Sequence, residues 1–232
     1  LVKVQTSEDF YKIFAVQTSS EDIMSEHHSE TNQLGIPQYI HIANALPWNR
    51  GDGYFAWLPD TNSWIGQSWD NKDLRKYQNS KGEWISLPST TPILFKKFKR
   101  DPNGKGTYSL PIYRYAEALL FYAEASCMAE GSPSVTAPER LNMVKRRAYG
   151  YDPDKPSPID YPSGMNKKEF QKEVLQERAY EFILERRRWY DLKRTGTIKE
   201  AFAKIGKTYI DSRLLWPIPY NEINNNPALE QS

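Results

Sequence analysis

The 232-residue sequence is poor in cysteine, in histidine and in net charge. Its single cysteine, Cys127, excludes an intrachain disulfide, and its position in an apolar helical stretch predicts a role in the core. Lys and Arg number 31 and Asp and Glu number 29, which leaves a net charge of +2. A basic excess on one face is typical of nucleic-acid binders, so no nucleic-acid partner is expected.

The sequence also has no run of 18 apolar residues, which a transmembrane helix would need. The first residues, Leu1-Val2-Lys3-Val4, lack the basic region and apolar stretch of a signal peptide, and the first residue is not a methionine. We therefore expect either a mature protein or a part of a longer one.

Aromatic residues and prolines are abundant. Phe, Trp and Tyr make up 13% of the residues, with 7 Trp and 15 Tyr, and there are 16 prolines. So many prolines predict that much of the chain runs as loops. Loops rich in aromatic residues bury most of them, and present others to a ligand.

Helix-starting and helix-ending residues divide the second half of the sequence. Four helices are predicted, running from Pro111 to Gly131, from Thr136 to Gly150, from Asn166 to about Arg194, and from Thr197 to Gly206. Capping boxes are predicted for Thr136 with Glu139 and for Thr197 with Glu200, and Asn166 with Glu169 three residues later marks the start of the third helix. Successive helix-turn-helix pairs are typical of a tetratricopeptide-like array, although no clean repeat period is present.

The predicted fold is mostly α, with tetratricopeptide-like helix pairs, a loop-rich subdomain and a few short strands. Strands are expected at residues 92–98 and, as an edge strand because of its prolines, at 213–219. Residues 10–16 fit the end of either a strand or a helix. The predicted organisation is a loop-rich, aromatic-rich ligand-binding subdomain at 1–108, a helical region at 109–206, and an irregular tail at 207–232 that packs back on the helices.

Three glutamates, Glu177, Glu181 and Glu185, repeat every four residues and would share one face of the long helix. They would form either a catalytic or metal-binding row, or ion pairs with arginines. Arginines stand at helical distances from these acids, which favours ion pairs between packed elements. No phosphate loop, nucleophile elbow or Cys/His pair at a known spacing is present, so no catalytic residue is predicted.

His27 and His28, with Glu26 and Glu30 beside them, raise the question of a metal site. Adjacent histidines in a strand or loop point apart, and no third ligand follows at a suitable spacing. An exposed loop is the preferred interpretation, and neither a metal site nor a cofactor is predicted.

The strongest ligand-binding pattern lies where flat aromatic rings alternate with planar polar side chains and glycines. Sugars offer apolar C–H faces and a rim of hydroxyls, which such mixtures bind by stacking and hydrogen bonding. About half of these aromatic residues would instead form the core of a loop-rich subdomain. The predicted ligand-binding residues are Trp48, Asn49, Arg50, Asp52, Tyr54, Trp57, Trp64 and Trp69.

Four segments, in order, resemble the SusD/RagB family of nutrient-uptake outer-membrane lipoproteins. They are Arg114–Ala125 (RYAEALLFYAEA), Leu141–Ala148 (LNMVKRRA), Glu177–Arg194 (ERAYEFILERRRWYDLKR) and Leu215–Gln231 (LWPIPYNEINNNPALEQ), and Asp73–Arg75 resembles a shorter family element. The sequence departs from the family at Arg186, where Gly is usual, at Lys145, where Arg is usual, and at Ser232, where Asn is usual. The match corresponds to the C-terminal half of a member.

The resemblance implies a glycan-binding protein that is lipid-anchored on the cell outer membrane. That it is not an enzyme is predicted from the arginines near the glutamates and from the missing nucleophile motifs. It would deliver an oligosaccharide to a SusC-like TonB-dependent transporter, and its other partner would be the missing N-terminal helical portion of the same protein. Some relatives bind ions, but no ligand cluster here supports calcium. A peptide-capturing relative, a transporter-associated scaffold and a glycoside hydrolase are the alternatives, and the family motifs do not locate the ligand site.

Overall fold

A computed structural model describes residues 1–16, 18–28, 64–76, 97, 109–226 and 228–229. Apart from Lys97, the strand predicted at 92–98 lies outside these residues. The chain forms two compact units, Leu1–Arg188 and Trp189–Ser232. The described part is mostly α-helical, which confirms the predicted fold class, and none of its helices is long and apolar enough to cross a membrane.

The described elements follow one another as mostly short helices and a single strand pair. The helices are α1 (Ser7–Lys12), α2 (Trp64–Ser68), α3 (Tyr115–Glu130), α4 (Thr136–Ala148), α5 (Lys167–Glu181), α6 (Arg188–Arg194), α7 (Ile198–Lys204) and α8 (Tyr220–Asn225). The strands are β1 (Asp22–Glu26) and β2 (Leu110–Arg114), which pair antiparallel with an irregular register.

The predicted helix start at Pro111 is wrong, because Pro111 lies within β2. Strand pairing with β1 holds these residues extended, and the Tyr115 amide donates a 2.7 Å hydrogen bond to the Glu21 carbonyl where the pairing ends. Helix α3 therefore begins directly at Tyr115. Sequence periodicity did not reveal the strand because its partner lies about 90 residues earlier in the chain.

Helices α3, α4 and α5 surround the larger hydrophobic core of the first unit. Cys127 is 1% exposed within this core, which confirms the role predicted for it. Its other buried members are Ala116, Leu119, Leu120, Ala123, Ala137, Leu141, Met143, Val144, Phe170, Val174 and Phe182.

A smaller core forms around α1. The sequence allowed either a strand or a helix at residues 10–16, and this segment is helical up to Lys12. Thr6 caps α1 in a capping box with Asp9, because each side chain accepts a hydrogen bond from the other residue's backbone amide. The buried residues of this core are Val4, Phe10, Tyr11, Ile13 and Phe14.

Glycines end the helices as the sequence predicted, whereas only some of the predicted N-terminal caps form. Gly131 and Gly150 have φ angles of 79° and 77°, a left-handed conformation that glycine adopts without strain. Asn166 and Glu169 form a capping box at the start of α5. The capping boxes predicted for Thr136 and Thr197 are wrong, because neither helix has a side-chain cap bond, and Thr136 already lies inside α4.

The single long helix predicted up to Arg194 is also wrong. Helix α5 ends at Glu181, and a turn precedes α6 at Arg188. In this turn Leu184 and Arg186 have φ angles of 65° and 62°. A left-handed residue with a Cβ costs roughly 1–2 kcal/mol, which explains why glycine is usual at the position of Arg186.

We expect Arg186→Gly to raise the free energy of unfolding by about 1 kcal/mol, because glycine relieves the left-handed strain and loses only part of the gain as chain entropy. Urea denaturation measures the change. Lys172→Gly is the control, since Lys172 is exposed within α5, where glycine should cost about 0.5–1 kcal/mol. A destabilised Arg186→Gly protein would contradict the prediction.

The second unit contains all of α6 except Arg188, together with α7, α8 and a 3₁₀ helix at Asp211–Leu214. The edge strand predicted at 213–219 is wrong, because its first residues belong to the 3₁₀ helix and the rest are irregular up to α8. Pro217 and Pro219 lack the amide hydrogen that strand pairing needs.

Candidate functional site

A group of buried, oppositely charged side chains lies inside the first unit, and we call it the buried ion-pair cluster. Each member is 6% exposed or less. The cluster consists of Glu21, Asp73, Arg75, Lys97, Arg114, Arg147, Glu177, Glu181 and Glu185.

Glu181 is the centre of the buried ion-pair cluster, because its side chain contacts three arginines. It accepts hydrogen bonds from Arg75 at 3.0 Å and from Arg114 at 2.5 Å, and it also pairs with Arg147. Burial by itself would raise the pKa of this carboxyl group, but the guanidinium groups dominate and lower the pKa far below its usual range. Glu181 is therefore ionised at neutral pH.

The two neighbouring glutamates have different surroundings. Glu177 accepts from Arg75 at 2.6 Å, and burial is the main reason that its pKa is raised. Burial would also raise the pKa of Glu185, but Arg114 and Lys97 lower it. The Lys97 ammonium also donates to the Glu181 carbonyl at 2.5 Å, and burial lowers its pKa to about 8.

These contacts confirm that the glutamates form ion pairs between packed elements, and the arginine partners of Glu181 come from distant segments of the sequence. The partners of Glu181 lie 34 to 106 residues away in the sequence. Because α5 ends at Glu181, Glu185 lies in the turn before α6 and not in the helix. Tertiary packing of β2, α4 and the segment after α2 against α5 brings the charges together.

The motif segments meet in this cluster. Asp73 and Arg75 form a close pair, with Arg75 Nη2 2.6 Å from an Asp73 carboxylate oxygen, and Arg75 continues to α5. Arg114 and Arg147 come from two other segments with family-like sequences. The cluster therefore connects the elements of the first unit and positions the segment that carries Trp69.

Trp69 is interior, with 2% of its surface exposed. Its ring stacks on that of Tyr180, with centroids 4.7 Å apart and an angle of 12° between the planes. Its Nε1 donates a 2.9 Å hydrogen bond to Asp73, which belongs to the buried ion-pair cluster. In this structure Trp69 packs against α5, which is the alternative role that the sequence left open for about half of these aromatic residues.

Trp64 lies at the start of α2 and is only partly buried. Exposed polar residues follow it, and together they form what we call the α2 surface: Trp64, Gln67, Ser68, Asp70 and Asn71.

Two tyrosines hold the α2 surface against the rest of the first unit. The Tyr180 hydroxyl donates to the Ser68 carbonyl at 3.1 Å, and the Tyr149 hydroxyl donates to an Asp70 carboxylate oxygen, also at 3.1 Å. Burial, followed by the charges of Asp73 and Asp70, raises the pKa of Tyr149, so its hydroxyl stays a donor at neutral pH. The surface therefore combines exposed polar groups with two hydrogen bonds to the rest of the first unit.

The other predicted ligand-binding residues lie outside the described residues, and their role stays a prediction. They are Trp48, Asn49, Arg50, Asp52, Tyr54 and Trp57. All of them precede Trp64 by fewer than 20 residues, so the α2 surface is the described end of the predicted region.

The histidine pair is not a fully exposed loop. His27 is exposed, with Nδ1 2.9 Å from the Ser109 hydroxyl, whereas His28 is 1% exposed. The prediction of an exposed loop is therefore wrong for His28, whose side chain is buried directly after β1 while the neighbouring His27 contacts Ser109, the residue before β2. Within the described ranges, no group of three or more His, Cys, Asp or Glu residues is placed to hold a metal ion.

Sequence reasoning missed Glu21 and Lys97 as members of the cluster. Each stands beside a residue of the same charge, Asp22 next to Glu21 and Lys96 next to Lys97, so no local pattern distinguishes it from a surface residue. The contact of Tyr180 with Trp69 was not predicted either, because it depends on tertiary packing.

Comparison with known proteins agrees with the architecture. The model of the SusD family matches residues 47–209, which is more than half of the chain. The chain belongs to the SusD family. Its motif residues supply the cluster that connects β2, α4 and α5, so the recognised sequence pattern corresponds to the framework of the fold.

Two curated relatives come from Formosa agariphila. SusD-like protein P38 is 31% identical over 121 residues, covering 52% of this chain and 24% of P38. SusD-like protein P2 is 28% identical over 208 residues, covering 77% of this chain and 40% of P2. The matches therefore span less than half the length of these relatives.

Among solved structures, surface glycan-binding protein A from Bacteroides thetaiotaomicron is similar with a TM-score of 0.67 and 21% identity, over 98% of this chain and 55% of that chain. The same protein in complex with laminarihexaose gives a TM-score of 0.59 at 20% identity, over 96% of this chain and 54% of that chain. At these identities the similarity shows the fold.

Proposed function

We propose that this chain is part of a cell-surface protein that captures oligosaccharides. Membership of the SusD family carries the proposal, and it is supported by the similarity of fold to a protein named as a surface glycan-binding protein. The ligand region would extend from residues 48–57 to the α2 surface.

The α2 surface has the chemistry that sugar recognition uses. The partly exposed indole of Trp64 would stack on the C–H face of a sugar ring. Gln67, Asp70 and Asn71 would bond to its hydroxyls, since carboxylates accept hydrogen bonds and amides both donate and accept them. Tyr180 and Tyr149 already hold the backbone and the Asp70 carboxylate, so little ordering would be needed on binding.

We also propose that the protein binds its ligand without chemical turnover. Glycoside hydrolysis needs two carboxyl groups that flank the scissile bond in an open cleft. Glu177, Glu181 and Glu185 are buried and ion-paired, so a sugar would have to displace the cluster to reach them.

The setting proposed for the whole protein is the outer membrane surface. There a lipid-anchored protein of this family would deliver the oligosaccharide to a SusC-like TonB-dependent transporter. Co-purification of a SusC-like transporter with the full-length protein tests this part of the proposal, and a protein recovered without any transporter would contradict it.

We expect Trp64→Ala to weaken oligosaccharide binding about tenfold, equivalent to about 1.4 kcal/mol, because one stacking face is lost. Calorimetric titration with a panel of soluble oligosaccharides, including laminarihexaose, measures the change. Trp216→Ala is the matched control, since Trp216 is 89% exposed but lies in the second unit.

Equal oligosaccharide affinity of the wild type and Trp64→Ala would show that the α2 surface is not part of the ligand site. If no oligosaccharide of the panel binds, glycan capture itself is contradicted, and peptide capture or a scaffold role becomes the better explanation. The same samples, assayed for reducing ends, test the proposed absence of hydrolysis.

A further inference from the structure

A second group of exposed rings beside an arginine lies where β2 leads into α3. Tyr113 of β2 is 45% exposed, and its cross-strand neighbour Met24 is 54% exposed. Glu117 lies in the first turn of α3, and Phe121, one turn later on the same side of the helix, is 41% exposed. We call these four residues, together with Arg187 from the turn before α6, the Arg187 site.

Two guanidinium groups lie over the exposed rings of the Arg187 site. The guanidinium carbon of Arg187 is 5.1 Å from the centre of the Tyr113 ring, and that of Arg178 is 4.4 Å from the centre of the Phe121 ring. Such cation–π contacts stabilise an arginine beside an aromatic ring. Arg178 is only 2% exposed, whereas 21% of the Arg187 side chain is exposed. Arg187 is therefore the arginine of this pair that a ligand can reach.

Glu117 is a weak partner for Arg187, because two arginines share its carboxylate. One oxygen is 3.4 Å from Arg178 and the other is 3.3 Å from Arg187. Charge-assisted N–H···O bonds are usually about 2.7–2.9 Å long. The Nε atom of Arg187 is buried and has no hydrogen-bond partner within the described part of the chain. A buried donor without a partner calls for an explanation, and here it leaves one edge of the guanidinium incompletely used.

The surroundings of Glu117 also lower the cost of an exchange of partners. Burial raises the pKa of Glu117, and its effect exceeds the opposing effects of Arg187 and Arg178. Arg178 would still contact Glu117 if Arg187 turned outward. Glu117 would therefore keep one cation while Arg187 bound another carboxylate.

The chemistry of the Arg187 site fits a sugar that carries a carboxylate. The planar edge of a guanidinium binds a carboxylate through two parallel hydrogen bonds. An exposed tyrosine ring packs against the C–H face of a sugar. A neutral sugar would use only the ring, so the arginine adds selectivity for an acidic one.

We propose that the Arg187 site is a second carbohydrate subsite, which binds an acidic sugar such as a hexuronate unit of an oligosaccharide. The sugar carboxylate would accept hydrogen bonds from the Nε and Nη2 edge of Arg187, and the sugar ring would lie against the exposed part of Tyr113. The inference rests on the proposed capture of oligosaccharides and adds a class of sugar and a place of binding that the α2 surface does not supply.

The test is a calorimetric titration with two probes that share one backbone, trigalacturonate and its methyl ester, whose carboxyl groups are neutral. Arg187→Gln removes the charge, Arg187→Lys keeps it, and Tyr113→Ala removes the ring. Arg186→Gln is the matched control, because it neutralises the neighbouring exposed arginine. Trp64→Ala reports on the α2 surface, and laminarihexaose is the neutral reference ligand.

We expect the wild type to bind trigalacturonate at least about tenfold more tightly than the methyl ester, because the acid gains charged hydrogen bonds. Arg187→Gln should abolish this preference and Arg187→Lys should keep part of it, whereas Arg186→Gln and Trp64→Ala should not reduce it. Tyr113→Ala should weaken both probes alike, and its exposed position makes a loss of folding no explanation for the result. Salt at about 0.5 M should reduce the preference by screening the charge.

Equal affinity of the wild type for the two probes, or a preference that survives Arg187→Gln, would overturn the proposal. Binding of laminarihexaose without binding of trigalacturonate would overturn the acidic subsite and leave glycan capture intact, so the two failures are distinguishable. Displacement of trigalacturonate by an equal concentration of hexaglutamate would also overturn the proposal, since an acidic peptide would then be the better ligand.

Discussion

Glu181→Ala is expected to lower the free energy of unfolding by about 3–5 kcal/mol, because it removes the central carboxylate of a buried ion-pair network. Arg75 and Arg114 would keep Glu177 and Glu185 as partners, whereas Arg147 would keep only Glu21 within the cluster. Urea denaturation followed by circular dichroism measures the loss.

Glu130→Ala is the control, because Glu130 is exposed at the end of α3 and should change stability by no more than about 0.5 kcal/mol. The buried ion-pair cluster contains five carboxylates and four cations. Glu181→Ala would therefore leave four of each and a formal balance of charge. A loss below about 1 kcal/mol would mean that net charge matters more than the position of each carboxylate, and would refute the central role assigned to Glu181.

Trp69→Ala is expected to cost about 3–5 kcal/mol, the usual range for removing a fully buried tryptophan side chain. The cavity would face Tyr180, and Asp73 would lose the indole donor that orients it toward Arg75. Trp216→Ala is the matched control, since an indole that is 89% exposed contributes little to stability. Thermal and urea unfolding of both variants measure the difference.

Trp69→Phe separates packing from ligand contact. It keeps an aromatic ring against Tyr180 and loses the hydrogen bond to Asp73, so we expect a cost of about 1 kcal/mol and unchanged oligosaccharide affinity. Weaker binding by Trp69→Phe with a native unfolding midpoint would contradict the packing role and return Trp69 to the ligand site.

The local sequence was sufficient to predict the elements whose causes are local. Gly131 and Gly150 end their helices because a left-handed residue is needed there, and Asn166 with Glu169 starts α5 through a capping box. The four motif segments were sufficient to indicate the family, because their order survives even where single residues such as Arg186 differ.

Tertiary structure alone decided the features that depend on distant residues. Residues 110–114 form a strand because β1 pairs with them, and the expected long helix breaks after Glu181, where Lys97 and Arg114 contact the carbonyl group of Glu181. The same packing decided which aromatic residues are buried, since Trp69 is buried and Trp64 is only partly buried although both belong to the same aromatic-rich stretch of sequence. The sequence determined which charged and aromatic residues are present, and only the fold determined their partners, because ion pairs and ring stacks join residues up to about 110 positions apart.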